Sequence, residues 1–199
     1  MNQTLPDGRR LILASTSPAR RQLLTRLKLP FEILPPAADE TPQPLEDAQA
    51  LVVRLAESKA RSIASREPGT LVIGSDQGAV LDGEILGKPG DHQRAVEQLS
   101  KVSNQTVIFY TGLCLLDSDS GRTQVEVVPF RVMFRPLNPK QIERYLRREQ
   151  PYQCAGSFKS EGLGIALFER LAGEDPTSLI GLPLIRLTRM LEAEGIEVL

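Results

Sequence analysis

Residues 11–21 run Leu11-Ile12-Leu13-Ala14-Ser15-Thr16-Ser17-Pro18-Ala19-Arg20-Arg21. Four apolar or small residues without polar alternation are the pattern of a short strand buried on both faces. The hydroxyl-rich step that follows offers Ser17 as a helix cap and Pro18 as the first helical residue. Leu23, Leu24 and Leu27 then fall on one helical face. A buried strand running directly into a capped helix is the opening of an α/β domain.

Working outward, strand-like and helix-like segments alternate. Phe31 to Leu34 is strand-like, and Pro35 to Pro44 (PPAADETPQP) is a loop between elements. Residues 46–66 form a long helix with Leu51, Val52, Leu55, Ala56 and Ile63 inward. Leu71-Val72-Ile73 predicts a second buried strand that ends at Gly74-Ser75-Asp76-Gln77. Val80 to Leu86 predicts a hairpin around Asp82-Gly83. Asp91 to Val102 is an amphipathic helix with Ala95, Val96, Leu99 and Val102 on its apolar side. Thr106 to Leu116 and Gln124 to Phe134 make a longer hairpin across Asp117-Ser118-Asp119-Ser120-Gly121. Asn138-Pro139 opens a helix with Ile142, Tyr145 and Leu146 inward, and Asp175-Pro176 and Pro183 open helical turns that end near Gly195. Long hairpins among helices point to α/β with a mixed sheet. With no repeat or low-complexity tract, residues 1–199 are expected to be one domain, about 1–9 being a flexible N-terminal extension.

Composition narrows the function. The 199 residues carry 24 Lys and Arg against 25 Asp and Glu, a net charge of −1, which lacks the cationic surplus of a general nucleic-acid binder. Only 5% of residues are aromatic, too few for stacking platforms on single strands. His92 is the sole histidine, so His-based zinc motifs are excluded, and Cys114 and Cys154 lie too far apart for a C-x-x-C site. Both cysteines are expected as buried free thiols, which suits a reducing compartment. The apolar run after Arg9-Arg10 is too short for a signal-peptide core, and no stretch approaches a membrane span. The expectation is a cytoplasmic protein with no nucleic-acid or membrane partner.

Four stretches could do chemistry. Ser15, Ser17, Arg20 and Arg21 place hydroxyls, backbone N–H groups and guanidinium groups at the positive end of a helix, a common way of holding phosphate. The same pattern also fits a cap followed by two solvated arginines. Asp76 lies where a buried strand is expected to end, the usual ligand position of α/β sheets, although an Asp ending a strand also starts turns. Lys88 sits on a tight loop, Gly87-Lys88-Pro89. Cys154-Ala155-Gly156-Ser157-Phe158-Lys159-Ser160-Glu161-Gly162 sets a lysine and a glutamate among small residues. Glu40 and Lys59 complete the set, with Lys59 on the inward side of its helix or snorkelling from it. Several cations for an oligophosphate and several carboxylates for a divalent metal argue nucleotide chemistry. Neither G-x-x-x-x-G-K-[ST] nor G-x-G-x-x-G is present.

Together, Ser15-x-Ser17-Pro18-x-Arg20-Arg21, Asp39-Glu40-Thr41, Lys59-Ala60, Gly74-Ser75-Asp76, Gly87-Lys88-Pro89 and Phe158-Lys159-Ser160-Glu161-Gly162 resemble, in the same order, the Maf family of nucleoside triphosphate pyrophosphatases. Gly74 to Gln77, Phe109-Tyr110-Thr111-Gly112, Cys154 to Gly162 and Gly181-Leu182-Pro183-Leu184-Ile185 are similar to its bacterial 7-methyl-GTP pyrophosphatase subfamily. Gly78 departs from it, standing where an apolar residue is expected after Asp-Gln. The resemblance implies a two-lobed, Maf-like (ITPase-like) α/β fold with a mixed, strongly twisted sheet and a nucleotide cleft between the lobes. It implies hydrolysis of 7-methyl-GTP to 7-methyl-GMP and pyrophosphate, clearance of modified nucleotides and a link to cell-division arrest. By position, Asp76 would be the proton acceptor, and Ala19, Gln77 and Glu161 would set base preference.

Physical logic fits those roles. Arg20, Arg21, Lys59, Lys88 and Lys159 can neutralise phosphate, and Glu40 and Asp76 can hold a divalent cation such as Mg2+ or Mn2+. Alternatives stay open: a pyrophosphatase preferring dTTP or UTP, or a non-catalytic nucleotide-binding regulator of cell division, which would need the cations but not Asp76. Assembly is open between monomer and homodimer.

Overall fold

A computed structural model describes residues 4–199. Among them the chain forms five α-helices and one seven-stranded mixed sheet. Strand β1 (Arg10–Ala14) leads into helix α1 (Pro18–Thr25), where Ser17 caps as its sequence predicts, its hydroxyl accepting from the Arg20 N–H. Strand β2 (Glu32–Leu34) and helix α2 (Ala48–Ala64) follow, α2 capped by Asp47. Next come β3 (Thr70–Leu81), β4 (Glu84–Leu86) and α3 (His92–Val102), then the long hairpin of β5 (Thr106–Asp117) and β6 (Thr123–Phe134). Helix α4 (Pro139–Glu149) starts on an Asn138–Gln141 capping box, and β7 (Phe168–Gly173) and α5 (Leu184–Ala193) close the chain.

The strand order is β2-β1-β3-β5-β6-β7, with β4 on the distal half of β3. β1 is parallel to β2 and β3, and every other pairing is antiparallel. This is the mixed sheet expected from the hairpins, but β3 differs from expectation. It does not stop at Gly74 to Gln77: Leu71 through Val80 pair without a break with Asp117 through Ile108 of β5. A full antiparallel ladder satisfies the backbone and overrides the turn preference of Gly-Ser-Asp. Asp76 therefore sits mid-strand. β1 stops pairing with β3 at the Ala14–Gly74 register, so the end that matters for the site is the carboxyl end of β1. The short β7 is not evident from the sequence, because its Phe168-Glu169-Arg170-Leu171 lacks strand alternation and pairs only at the sheet edge.

One sheet carries two lobes because its strands are longer than either core. At one end, Leu11, Leu13, Leu71, Ile73, Leu113 and Leu115 meet α1 and α5, while Ile12, Ala14, Val72, Cys114 and Leu116 on the other face meet α2. At the far end Ala79, Leu81, Phe109, Phe130, Val132 and Phe134 pack with α3 and α4. Residues 4–9 are not a loose extension. Leu5 is 2% exposed within the first core, and the Arg9 guanidinium bonds Asp7, Asp117 and the Glu194 carbonyl, so burial and ion pairing hold the segment down. Residues 1–3 lie outside the described residues. Among the described residues no helix is long and apolar enough to cross a membrane.

Helix α2 is seated on the sheet through two glycines. A Cβ on Gly74 would lie 2.0 Å from the Ala56 carbonyl oxygen, and one on Gly112 would lie 2.2 Å from that of Val52. Gly112→Ala must therefore lift α2, and overpacking of this kind costs about 3 kcal/mol. Calorimetry should show a melting temperature lower by about 5–10 °C. Gly78, the departure noted above, is different: its Cβ would meet only Val52 Cγ1, at 3.4 Å. Gly78→Ala should stabilise by about 0.4–1 kcal/mol through reduced freedom of the unfolded chain. A lower melting temperature for Gly78→Ala would refute that account of the site.

Candidate active site

A cavity of about 680 Å³ opens between the lobes and gathers most of the residues singled out from the sequence. Ser15, Ser17, Ala19, Arg20, Glu40, Lys59, Asp76, Gln77, Lys88, Lys159 and Glu161 all line it. Arg21 does not: it is exposed and outside the lining, whereas Arg20 and Gln22 belong to it. Arg20 is drawn inward by the bond from its Nε to the Gly181 carbonyl. Arg21 is therefore removed from the phosphate-binding set.

The centre of the cavity is a charge cluster. Lys59 Nζ lies 2.6 Å from Asp76 Oδ1 and 2.7 Å from Glu40 Oε1, although the lysine is only 5% exposed. It reaches there because Gly74 and Gly112 let α2 lie against β3, which brings Lys59 of the helix level with Asp76 of the strand. Lys88 approaches the other oxygen of Glu40 at 3.8 Å. The hydrogen bond from Lys59 holds the Glu40 carboxyl below its ordinary pKa, helped by the charges of Lys59, Lys88 and Arg20 and opposed by partial burial.

Arg20 enters from α1. Its Nε donates to the Gly181 carbonyl at 2.7 Å, which fixes the guanidinium plane. Enclosure pulls its pKa below the ordinary arginine value, against the nearby charges of Asp76 and Glu40. Ser15 and Ser17 accept backbone N–H bonds through their hydroxyl oxygens, which leaves each O–H hydrogen free to donate to a ligand. Lys159 Nζ is 3.3 Å from the Glu149 carbonyl oxygen and 3.6 Å from Glu149 Oε1. Its loop is anchored by Phe158, which makes edge-to-face contacts with Phe109, Phe134 and Phe168 at centroid distances of 5.0–5.6 Å.

Next to Asp76 on β3, Gln77 Nε2 donates to Thr111 Oγ1 and to the carbonyls of Ser178 and Leu179, so its Oε1 is the free end of the amide. Glu161 is an exposed carboxylate with only the Ser160 hydroxyl against it, at 3.4 Å. Phe109, Phe158 and Leu179 supply apolar wall nearby. The sequence reading missed the supports behind this wall. Ser75, Thr111 and Ser178 are fully buried, and the Ser75 hydroxyl lies within hydrogen-bond reach of both Gly112 O and Gly181 O. Asp175, read only as a helix opener, is buried and accepts from Thr177 N, Thr177 Oγ1 and Ile185 N. A polar residue inside an apolar strand was the available signal for Ser75 and Thr111.

The two cysteines part company. Cys114 is buried, and burial pushes its pKa up to about 12. Cys154 is only half-buried and lines the cavity, so the expectation of two buried thiols holds for one of them.

The chemistry of the donors bears on a metal. Among the described residues no group of three or more His, Cys, Asp or Glu side chains could enclose one. Two carboxylates converging on a single positive charge do fit a hard divalent cation that keeps water and takes phosphate oxygens for the rest of its shell. Residues 10–194 match the family model described as "Maf-like protein". A protein of Nitrosococcus oceani named 7-methyl-GTP pyrophosphatase is 58% identical over 199 residues, the whole of both chains. Proteins of the same name from Pseudomonas aeruginosa and Vibrio vulnificus are 57% and 55% identical, over 98% and 97% of this chain and 100% and 99% of theirs. The Staphylococcus aureus Ham1 structure aligns more loosely, with TM-score 0.43 and 14% identity over 62% of this chain and 71% of that one. With a match that runs from Arg10 of β1 to Glu194 after α5, and relatives that align end to end, the chain belongs to the Maf family.

Proposed function

We propose that this chain hydrolyses nucleoside triphosphates between the α- and β-phosphates, with 7-methyl-GTP as the preferred substrate. The observation that carries the reading is the Lys59 cluster: a buried ammonium held between Asp76 and Glu40 in the same cavity as Arg20, Lys88 and Lys159. The names of the relatives support the substrate.

In this reading Arg20, Lys59, Lys88 and Lys159 meet the triphosphate and neutralise its oxygens, and the Ser15 and Ser17 hydroxyls add neutral donors. A triphosphate competes for Lys59 and loosens its hold on the two carboxylates. Asp76 then takes a proton as water adds to the α-phosphorus. The bond to the β-phosphate breaks, leaving nucleoside monophosphate and pyrophosphate. Glu40 and Asp76 would hold a divalent cation, Mg2+ or Mn2+, which supplies further neutralisation of the phosphates. Gln77 Oε1 and Glu161 offer acceptors to the N–H donors of a guanine edge, and the positive charge brought by N7-methylation favours the exposed Glu161 carboxylate. The free thiols fit a cytoplasmic setting.

A panel of nucleoside triphosphates assayed for pyrophosphate release should show 7-methyl-GTP turned over ahead of GTP, dTTP and UTP. Equal or faster turnover of dTTP and UTP would overturn the substrate and leave the reaction standing.

Asp76→Asn removes the proton acceptor at constant volume, so turnover should fall at least about 100-fold while calorimetry still detects nucleotide binding. A folded Asp76→Asn variant with near-wild-type turnover would sink the proposed role of Asp76. A wild type that binds nucleotide without any turnover would make the protein a sensor.

A further inference from the structure

Between Phe158 and Leu167, both buried in the far core, the chain makes the turn that carries Lys159 and Glu161. The turn closes on itself, because the Lys159 carbonyl accepts from the N–H groups of Gly162 and Gly164. Its internal shape is therefore settled locally, and what is left to fix is where it sits. Among the described residues, every hydrogen bond that ties residues 159–163 to another element runs to α4. The Tyr145 hydroxyl accepts from Lys159 N at 3.1 Å, and Glu149 Oε2 accepts from Leu163 N at 2.8 Å. Tyr145 and Glu149 stand four residues apart, on one face of the helix.

Glu149 holds more than the Leu163 N–H. Gly162 lies so close to its carboxylate that a Cβ there would stand 2.8 and 2.9 Å from the two oxygens. The Lys159 ammonium, 3.3 Å from the Glu149 carbonyl oxygen, rests at the carboxyl end of α4, where a cation meets an orphan helix carbonyl and the negative end of the dipole. Glu149 itself is outside the cavity lining, whereas Lys159, Ser160 and Glu161 belong to it. We propose that Glu149 is a positioning residue that seats the Lys159–Glu161 turn against the cavity from behind. The inference rests on the reading above that Lys159 and Glu161 meet the nucleotide. A single attachment at Tyr145 would let the closed turn swing about that point. The second attachment, at the far end of the turn, fixes its orientation.

Two substitutions separate the hold on the turn from the charge. Glu149→Ala removes the acceptor of Leu163 N and the seat of Gly162 together. The residue is the last of α4 and only partly buried, and alanine is a strong helix former, so the fold should stand. Glu149→Gln removes the negative charge but keeps a side-chain oxygen for Leu163 N, and the backbone carbonyl still meets Lys159.

Hydrogen exchange on the free protein reads the turn without any ligand. Residues 159–165 should exchange about fivefold faster in Glu149→Ala, the weight of one lost hydrogen bond, and at the wild-type rate in Glu149→Gln. Calorimetry with the α,β-methylene analogue of GTP, which cannot be cleaved at that bond, then reads the site. Glu149→Ala should bind it about tenfold more weakly and Glu149→Gln almost as the wild type does. In turnover KM should rise while kcat changes by less than about threefold, because Lys59, Asp76 and Glu40 stand on other elements. On a Lys159→Ala/Glu161→Gln background, Glu149→Ala should cost no further affinity, since the groups it seats are already gone. Unchanged exchange or affinity in Glu149→Ala, a full additive loss on that background, or a Glu149→Gln variant as impaired as Glu149→Ala overturns the inference. Failure of the pyrophosphatase reading is seen separately, as a wild type that releases no pyrophosphate from the triphosphate panel.

Discussion

Helix α2 rests on the sheet with its own carbonyl oxygens where side-chain carbons would otherwise stand, at Gly74 and at Gly112. That approach decides where Lys59 ends up. An ammonium only 5% exposed is costly unless it is paired, and here two carboxylates take it up, one from β3 and one from the loop after β2. Packing and charge are therefore one constraint: if the helix stood farther out, Lys59 would lose Asp76, and Asp76 would be left facing the cavity beside Glu40. The glycines are as much part of the site as the charges they bring together.

The two-core arrangement follows from strand length. β3, β5 and β6 each span 12 residues, and no single layer of helices covers them. α1, α2 and α5 cover one end and α3 and α4 the other, and the uncovered stretch between is the cavity. Asp76 and Gln77 sit at that stretch of β3, just past the last residue paired with β1. An unbroken strand is a stiffer mount for side chains that face the cavity than the loop the sequence predicts there, because each backbone group is held in the ladder.

Behind the reactive groups lies a layer of uncharged hydrogen bonds. The Gly181 carbonyl accepts from Arg20 and lies within reach of the Ser75 hydroxyl, and the Ser178 carbonyl accepts from Thr111 and Gln77. One short turn after Asp175 thus fixes both the Arg20 guanidinium and the Gln77 amide. Gly181 occupies a left-handed conformation, φ 112°, and its Cβ would lie 3.2 Å from Arg20 Nε, so both the backbone and the space call for glycine.

The sequence by itself determined the elements whose signals are local. Ser17 and Asn138 open their helices where their neighbours predict, because a cap is decided within four residues. It also determined the identity of the site, since charged groups and glycines in a fixed order are legible without coordinates, and all but Arg21 of the residues so chosen face the cavity. Tertiary structure alone decided the rest. Strand β3 runs through Gly74-Ser75-Asp76 because β5 pairs with it along its length, and the burial of Leu5 depends on packing against distant strands and α5. Which arginine of an adjacent pair turns inward was a matter of the carbonyl that Gly181 offers to Arg20. The Gln77 amide finds acceptors at Ser178 and Leu179, 101 and 102 residues along the chain. Hydrogen bonds across such separations exist only once the chain has closed, so no window of sequence contains them.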